Sequence, residues 1–229
     1  MVERRTAAAG ARPAVPGAPR ARRGRRAPRP TRRDQILEAA AAAFAERGFR
    51  AVTLRDIGAA VGVTGPAVYR HFASKQDVLG EMLVGVSEEL LSGARQRVDL
   101  VTSAEAAVAA LVAWHVDFAL EHPELISVQA RDFSSLRPRD RERVRRLQRA
   151  YVEVWVDAIA RCARTADRRW ALAAAHAVLG LINSTPFSAR LEREAMRALL
   201  VEMALAALSP DTLAAAARPS VRRACAGGS

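Results

Sequence analysis

The chain has 229 residues, half of them hydrophobic, with 36 Lys and Arg against 24 Asp and Glu for a net charge of +12. That length holds one large or two small domains with a real core. Two cysteines, Cys162 and Cys225, are too few for a disulfide framework or a cysteine-rich zinc site, and no run reaches the roughly 18–20 uninterrupted apolar residues of a membrane span.

The charge is unevenly spread. Residues 1–33 hold eleven Arg and one acid, Glu3, so +10 sits there and +2 on everything after. Arg outnumbers Lys 35 to 1, as GC-rich coding would produce, and the single lysine is Lys75. No apolar run follows the basic start to make a signal peptide, so a cytoplasmic protein is expected. Residues 1–30 are rich in Arg, Ala, Pro and Gly. Such a tail cannot bury enough surface to offset its ordering entropy and is expected to be disordered. Two readings stand for it, a basic arm attracted to phosphates and a solvated leader.

Thr31 opens the first helix, with Asp34 at the third position of a T-R-R-D cap. Ile36, Leu37, Ala40, Ala41 and Phe44 make its buried face, and Gly48 ends it. The same cap recurs at T-L-R-D (53–56) and S-K-Q-D (74–77). Between these caps the spacing predicts two short helices. Leu54, Ile57 and Val61 line the first and Val68 and Phe72 anchor the second, with Gly62 turning the chain and Val63 re-entering the core. Gly58 is small where the pair must cross. From Ser74 a longer helix carries Val78, Leu79, Met82, Leu83, Val86 and Leu90. Gly80, Gly85 and Gly93 are expected to weaken or bend it.

Beyond residue 100 the pattern predicts helices near 103–121, 124–134, 139–164, 168–184 and 189–208, broken at His122-Pro123, Arg137-Pro138 and Ser184-Thr185-Pro186. The 139–164 helix shows Val144, Leu147, Tyr151, Val154, Ala158 and Cys162 at heptad-like spacing, and the last shows Leu191, Ala195, Leu199 and Met203. Ser209-Pro210 is a cap with a first-turn proline that starts one more short helix. No alternating strand pattern and no repeat is present, so the fold class is all-α.

Residues 53–75 therefore form a helix-turn-helix. With their surroundings, F-A-E-R-G-F (44–49), T-L-R-D-I (53–57), V-G-V-T (61–64), Y-R-H-F (69–72) and K-Q-D-V-L (75–79), they resemble the DNA-binding domain of the tetracycline-repressor (TetR) family over about fifty of 229 residues. Gly58 and Val61 depart from it, standing where the family more often has Ala. The resemblance implies double-stranded operator DNA as a partner, with Thr64, Gly65, Pro66 and Ala67 opening the recognition helix. It implies phosphate contacts at Arg55, Tyr69, His71 and Lys75, and Arg70 is suited to reading a guanine. For Tyr69 and His71 a packing role is the alternative.

The resemblance also implies a division into residues 31–79 for DNA, 80–208 for a small-molecule effector and homodimerisation, and a tail at 209–229. A twofold dimer implies a palindromic operator. H-P-E-L (122–125), R-R-L-Q-R-A-Y-V-E-V-W (145–155) and N-S-T-P-F-S (183–188) are similar to family members of lipid or steroid catabolism, some of which respond to acyl-coenzyme A. Trp114, His115, Phe118, Trp155, His176 and Asn183 would then line an apolar cavity with polar anchors. The arginines between 137 and 149 would receive coenzyme A phosphates. Each of these residues has a plain alternative as core aromatic, satisfied core histidine or solvated helix face. Two other classes compete with the regulator. A nonspecific architectural DNA-binding protein would use the arginine-rich tail. An enzyme would need a nucleophile elbow, metal-spaced histidines or a phosphate loop, and none appears. No cofactor, metal or membrane is called for, and the protein is read as not an enzyme.

Overall fold

Capping chemistry sets where the chain turns helical. In the computed structural model, which describes residues 30–163, 167–209 and 211–212, Thr31 starts α1 (Arg32–Arg47) with a reciprocal cap. Its hydroxyl accepts from Asp34 N at 3.2 Å while Asp34 Oδ2 accepts from Thr31 N at 2.8 Å. Thr53 and Asp56 repeat the device at α2 (Leu54–Ala60), and Ser74 caps α4 (Lys75–Asp99). The Thr31 hydroxyl and then its backbone N–H hold Asp34 below the usual carboxylate range. Between α2 and α4 lies the five-residue α3 (Gly65–Tyr69).

The remaining helices are α5 (Ala104–Glu121), α6 (Pro123–Asp132), α7 (Pro138–Cys162), α8 (Arg168–Ile182), the short α9 (Thr185–Ser188) and α10 (Arg193–Ala207). A 3-10 turn at Phe133–Ser135 joins α6 to α7. Among the described residues there is no strand, so the expected all-α class holds. Helix α10 begins four residues later than its apolar pattern suggested, because 185–188 closes into a turn of its own. The Ser209 hydroxyl accepts from Thr212 N at 3.2 Å, but Pro210, the rest of that last helix, and residues 1–29 lie outside the described residues.

Two apolar clusters hold the molecule. One gathers Ile36, Phe44, Phe49, Ile57, Val68 and Phe72 with Val78 and Leu83 of α4, and extends to Phe118, Val128, Leu136 and Val144. The other packs α5, α7, α8 and α10 around Leu111, Trp155, Ile159, Ile182 and Leu200. Helix α4 belongs to both clusters, through Leu83 and through Leu91. Its glycines do not interrupt it, and α4 runs unbroken for 25 residues. A Cβ on Gly80 would lie 2.6 Å from Asp140 Oδ2 of α7, and one on Gly93 would overlap the Trp114 indole of α5. Close helix approach accounts for these two glycines. Gly85 faces open space.

Helix α10 and the residues flanking it carry two apolar stripes one residue apart. Met196, Leu200, Ala204 and Leu208 face the core. The stripe read from the sequence, Leu191, Ala195, Leu199 and Met203, faces outward, with Leu191 54%, Leu199 41% and Met203 44% exposed.

Candidate nucleic-acid interface and effector region

The turn between α2 and α3 is built by two glycines. Gly62 adopts φ 71°, a left-handed conformation open to glycine at little cost. Val63 N then bonds Gly58 O at 2.9 Å, and a Cβ on Gly58 would stand 2.9 Å from Val68 Cγ2. The missing methyl lets α3 sit against α2, and Val68 and Phe72 are buried beneath it.

This crossing brings Arg55 of α2 alongside Thr64, Gly65, Pro66 and Tyr69 around one groove of about 630 Å³, with Ala59 and Val63 in its wall. Tyr69 is 60% exposed, so the packing alternative for it is set aside. Arg55, Thr64, Pro66 and Arg70 are exposed as well, and none of the described residues lining the groove is acidic. Such a surface offers a guanidinium, hydroxyls and a close backbone approach at Gly65, the groups that meet phosphates and base edges. Ala67 is half-buried. His71 is not among the residues around this groove; it borders a separate cleft with Arg33 and Glu81, and its carbonyl accepts from Arg33 Nη1 at 2.7 Å.

Lys75 is placed differently from the expectation of a phosphate contact. Its ammonium donates to Phe49 O at 2.6 Å, Val52 O at 2.6 Å and Arg50 O at 3.2 Å, and lies 4.5 Å from the Phe49 ring centroid. Three carbonyls match its three donors. Lys75 is a strut that ties the start of α4 to the loop after α1. Sequence reasoning also missed the arginines that join the helix-turn-helix to the rest. Arg33 pairs with Glu81 of α4. Arg131 of α6 reaches the end of α1 at Phe44 O and, at 3.2 Å, Ala45 O. Their partners lie 48 and 87 residues away, beyond any local pattern.

The expected effector residues divide into three places. His115, Phe118 and Asn183 share a cavity of about 40 Å³ with Gln129, and Trp155 lies against the His115 ring. Asn183 Oδ1 can only accept, so His115 Nε2–H donates to it at 3.1 Å, and Nδ1 accepts from the Tyr151 hydroxyl at 3.0 Å. Burial pushes the imidazole down to about 4, against a smaller opposing pull from Asn183, and it pushes the Tyr151 phenol up. This is a satisfied buried triad, and 40 Å³ admits about one water rather than an effector.

Trp114 lies elsewhere. It packs on Gly93 of α4 and donates to Leu90 O at 3.2 Å under the Arg97 guanidinium. His176 is corrected to the exposed face of α8, beside Leu172, Ala173, Ala177 and Gly180, because the inward face is taken by Ala171, Ala175, Val178 and Ile182. The arginines expected to receive coenzyme A phosphates are largely occupied by the protein itself. Arg137 binds Asp77 and Ser74, Arg141 binds the Ser134 and Leu136 carbonyls, Arg143 pairs with Glu88, and Arg146 and Arg149 share Glu142. No helix among the described residues is long and apolar enough to cross a membrane.

Comparison with known proteins matches residues 36–82 to the family model of bacterial regulatory proteins of the tetR family, and residues 101–187 to that of the tetracyclin repressor-like C-terminal domain. The chain is 46% identical over 69 residues to the HTH-type transcriptional repressor KstR2 of Mycobacterium tuberculosis, which is 30% of this chain and 34% of that one. The match thus spans about a third of the relative's length. A TetR-family regulator of Bordetella parapertussis superposes with a TM-score of 0.68 at 24% identity, covering 76% of this chain and 93% of that one. AibR, solved with isovaleryl coenzyme A and operator DNA, superposes with a TM-score of 0.64 at 18% identity, covering 76% and 97%. These two likenesses show the fold. Since the two family models follow one another along the same chain and together take in more than half of its 229 residues, the protein belongs to the TetR family of bacterial regulatory proteins.

Proposed function

We propose that the protein is a homodimeric, ligand-responsive transcription regulator that holds a palindromic operator and releases it when a small-molecule effector binds. The observation that carries this reading is the acid-free groove of Arg55, Thr64, Gly65, Pro66 and Tyr69, with Arg70 exposed beside it. Residues 31–79 are assigned to DNA and 80–208 to effector and partner subunit, in the cytoplasm and on the nucleoid when DNA is bound. Within the first segment, Ala67 offers a methyl at the base edges, His71 flanks the phosphates, and Lys75 acts as a positioning residue. Repression is the sign favoured by the sequence likeness to KstR2, which is named a repressor. An effector is favoured by the complex in which AibR holds both an acyl-coenzyme A and operator DNA.

The mechanism is a population shift. The effector favours a state whose paired recognition helices are misplaced for successive major grooves, and DNA affinity falls by the difference in its affinity for the two states. Helix α4 is the lever, because Glu81, Asp77 and Lys75 near its start are each tied to other elements. The test is selection of bound duplexes from random DNA. A palindromic site is expected, and Arg70→Ala should relax base preference at one position by about 1–3 kcal/mol. Uniform binding of all sequences with a steep salt dependence would instead favour the architectural reading.

A further inference from the structure

A concavity of about 770 Å³ lies on the seam where α1 meets α4 and α6. Its floor is apolar, made by Leu37 and Ala41 of α1, Met82 and Val86 of α4 and Leu125 of α6. Its rim is acidic, with Glu38, Glu89, Glu121 and Glu124 contributed by four different helices, and no Lys or Arg is among the residues lining it. Glu124 has His122 at 3.5 Å and Glu121 has Arg193 at 4.0 Å. Glu38 and Glu89 have no ion-pair partner among the described residues. Asp34 and Glu81 also border the space but are engaged, one in the Thr31 cap and one by Arg33.

Val86 and Leu125 are common to this cleft and to the small cavity of His115, Phe118, Gln129 and Asn183. The outer cleft and the cavity of the buried polar triad thus meet at these two residues.

We propose that this seam is a ligand site for organic cations: an apolar body seated on Leu37, Met82, Val86 and Leu125, with its positive charge held by Glu38, Glu89, Glu121 and Glu124. Apolar walls set in low dielectric concentrate the field of like-signed rim charges, which attracts a cation and repels an anion of the same shape. The site has residues of α1 on one side and of α4 and α6 on the other. A ligand bound better when the walls part shifts α1 against α4. This second step alone rests on the regulator reading.

The test is calorimetry on the full chain with tetraphenylphosphonium and with tetraphenylborate, ions of nearly the same shape and opposite charge. The phosphonium is expected to bind and the borate not to. Glu38→Gln with Glu89→Gln should weaken the phosphonium by roughly tenfold, about threefold per exposed charge, and less at high salt. Ala42→Trp, at an exposed position lining the cleft, should block it with the melting temperature retained. Equal binding of both ions, indifference to the double substitution, or no binding of either overturns the site. Phosphonium binding without loss of affinity for the selected duplex overturns the coupling to α1. A protein that selects no duplex fails as a regulator, while calorimetry still decides the site.

Discussion

At the scale of single residues, His115 is the most heavily constrained titratable group. It is 3% exposed, both ring nitrogens are bonded, and its protonation is pushed down to about 4 from 6.5. A depressed histidine favours the neutral form in the folded state, so the unfolded chain binds its proton first as the pH falls. Its contribution to stability is complete above about 6.5 and is lost progressively between 6.5 and 4, on the order of 3 kcal/mol in all. Urea unfolding at pH 7.5 and 5 should therefore show a larger loss for the native chain than for His115→Gln. Equal losses would mean that this imidazole is not the group responsible. The three partners come from α5, α7 and the end of α8. Periodicity could mark each as an inward position, but not that they converge, because their separations of 36 and 68 residues are set by helix packing.

At the scale of elements, the helices were legible in the sequence wherever a local device closes them. T-R-R-D, T-L-R-D and S-K-Q-D act over three residues, and each starts a helix where it stands. Gly48 and Gly62, at φ 83° and 71°, turn the chain where the sequence placed the stops. The glycines of α4 were not legible, since a gap for a neighbour and a flexible joint look alike in one dimension. Their packing can be measured. Gly93→Ala gains up to ~1 kcal/mol of helix propensity but displaces Trp114 from its bond to Leu90 O and from Arg97, a net loss of about 2 kcal/mol. Gly85→Ala meets open space and should stabilise by about 0.5–1 kcal/mol. Thermal unfolding of the two variants gives opposite signs if Gly93 is there to make room for a neighbour, and the same sign if the glycines of α4 are joints.

For the whole molecule, the outward faces of α8 and α10 are the ones left apolar. Leu172 is 39% exposed, Leu199 41%, Met203 44%, and Phe187 in α9 71%. A single chain gains nothing from this surface in water, and in the proposed homodimer a twofold partner presenting the same face would cover it. Leu199→Glu with Met203→Glu should leave the monomer folded, because Leu200 and Ala204 hold the inner stripe. Sedimentation should then show monomers at concentrations where the native chain is dimeric, and affinity for a palindrome should fall far more than affinity for a half-site. A variant that still sediments as the native chain would place the interface elsewhere. The sequence showed this stripe plainly as apolar, yet could not tell it from the core stripe one residue away, because both satisfy a helical period.

Lys75 has one more consequence, in chemical reactivity. It is the chain's single lysine, so an amine-reactive reagent meets only its ammonium and the N-terminal amine. With its ammonium bonded to the carbonyls of Phe49, Arg50 and Val52, it must give up a proton and at least one of these bonds, and turn the freed lone pair to solvent, before it can be acylated. The rate of its acylation becomes a clock for the opening of the loop between α1 and α2, readable by mass without any engineered label.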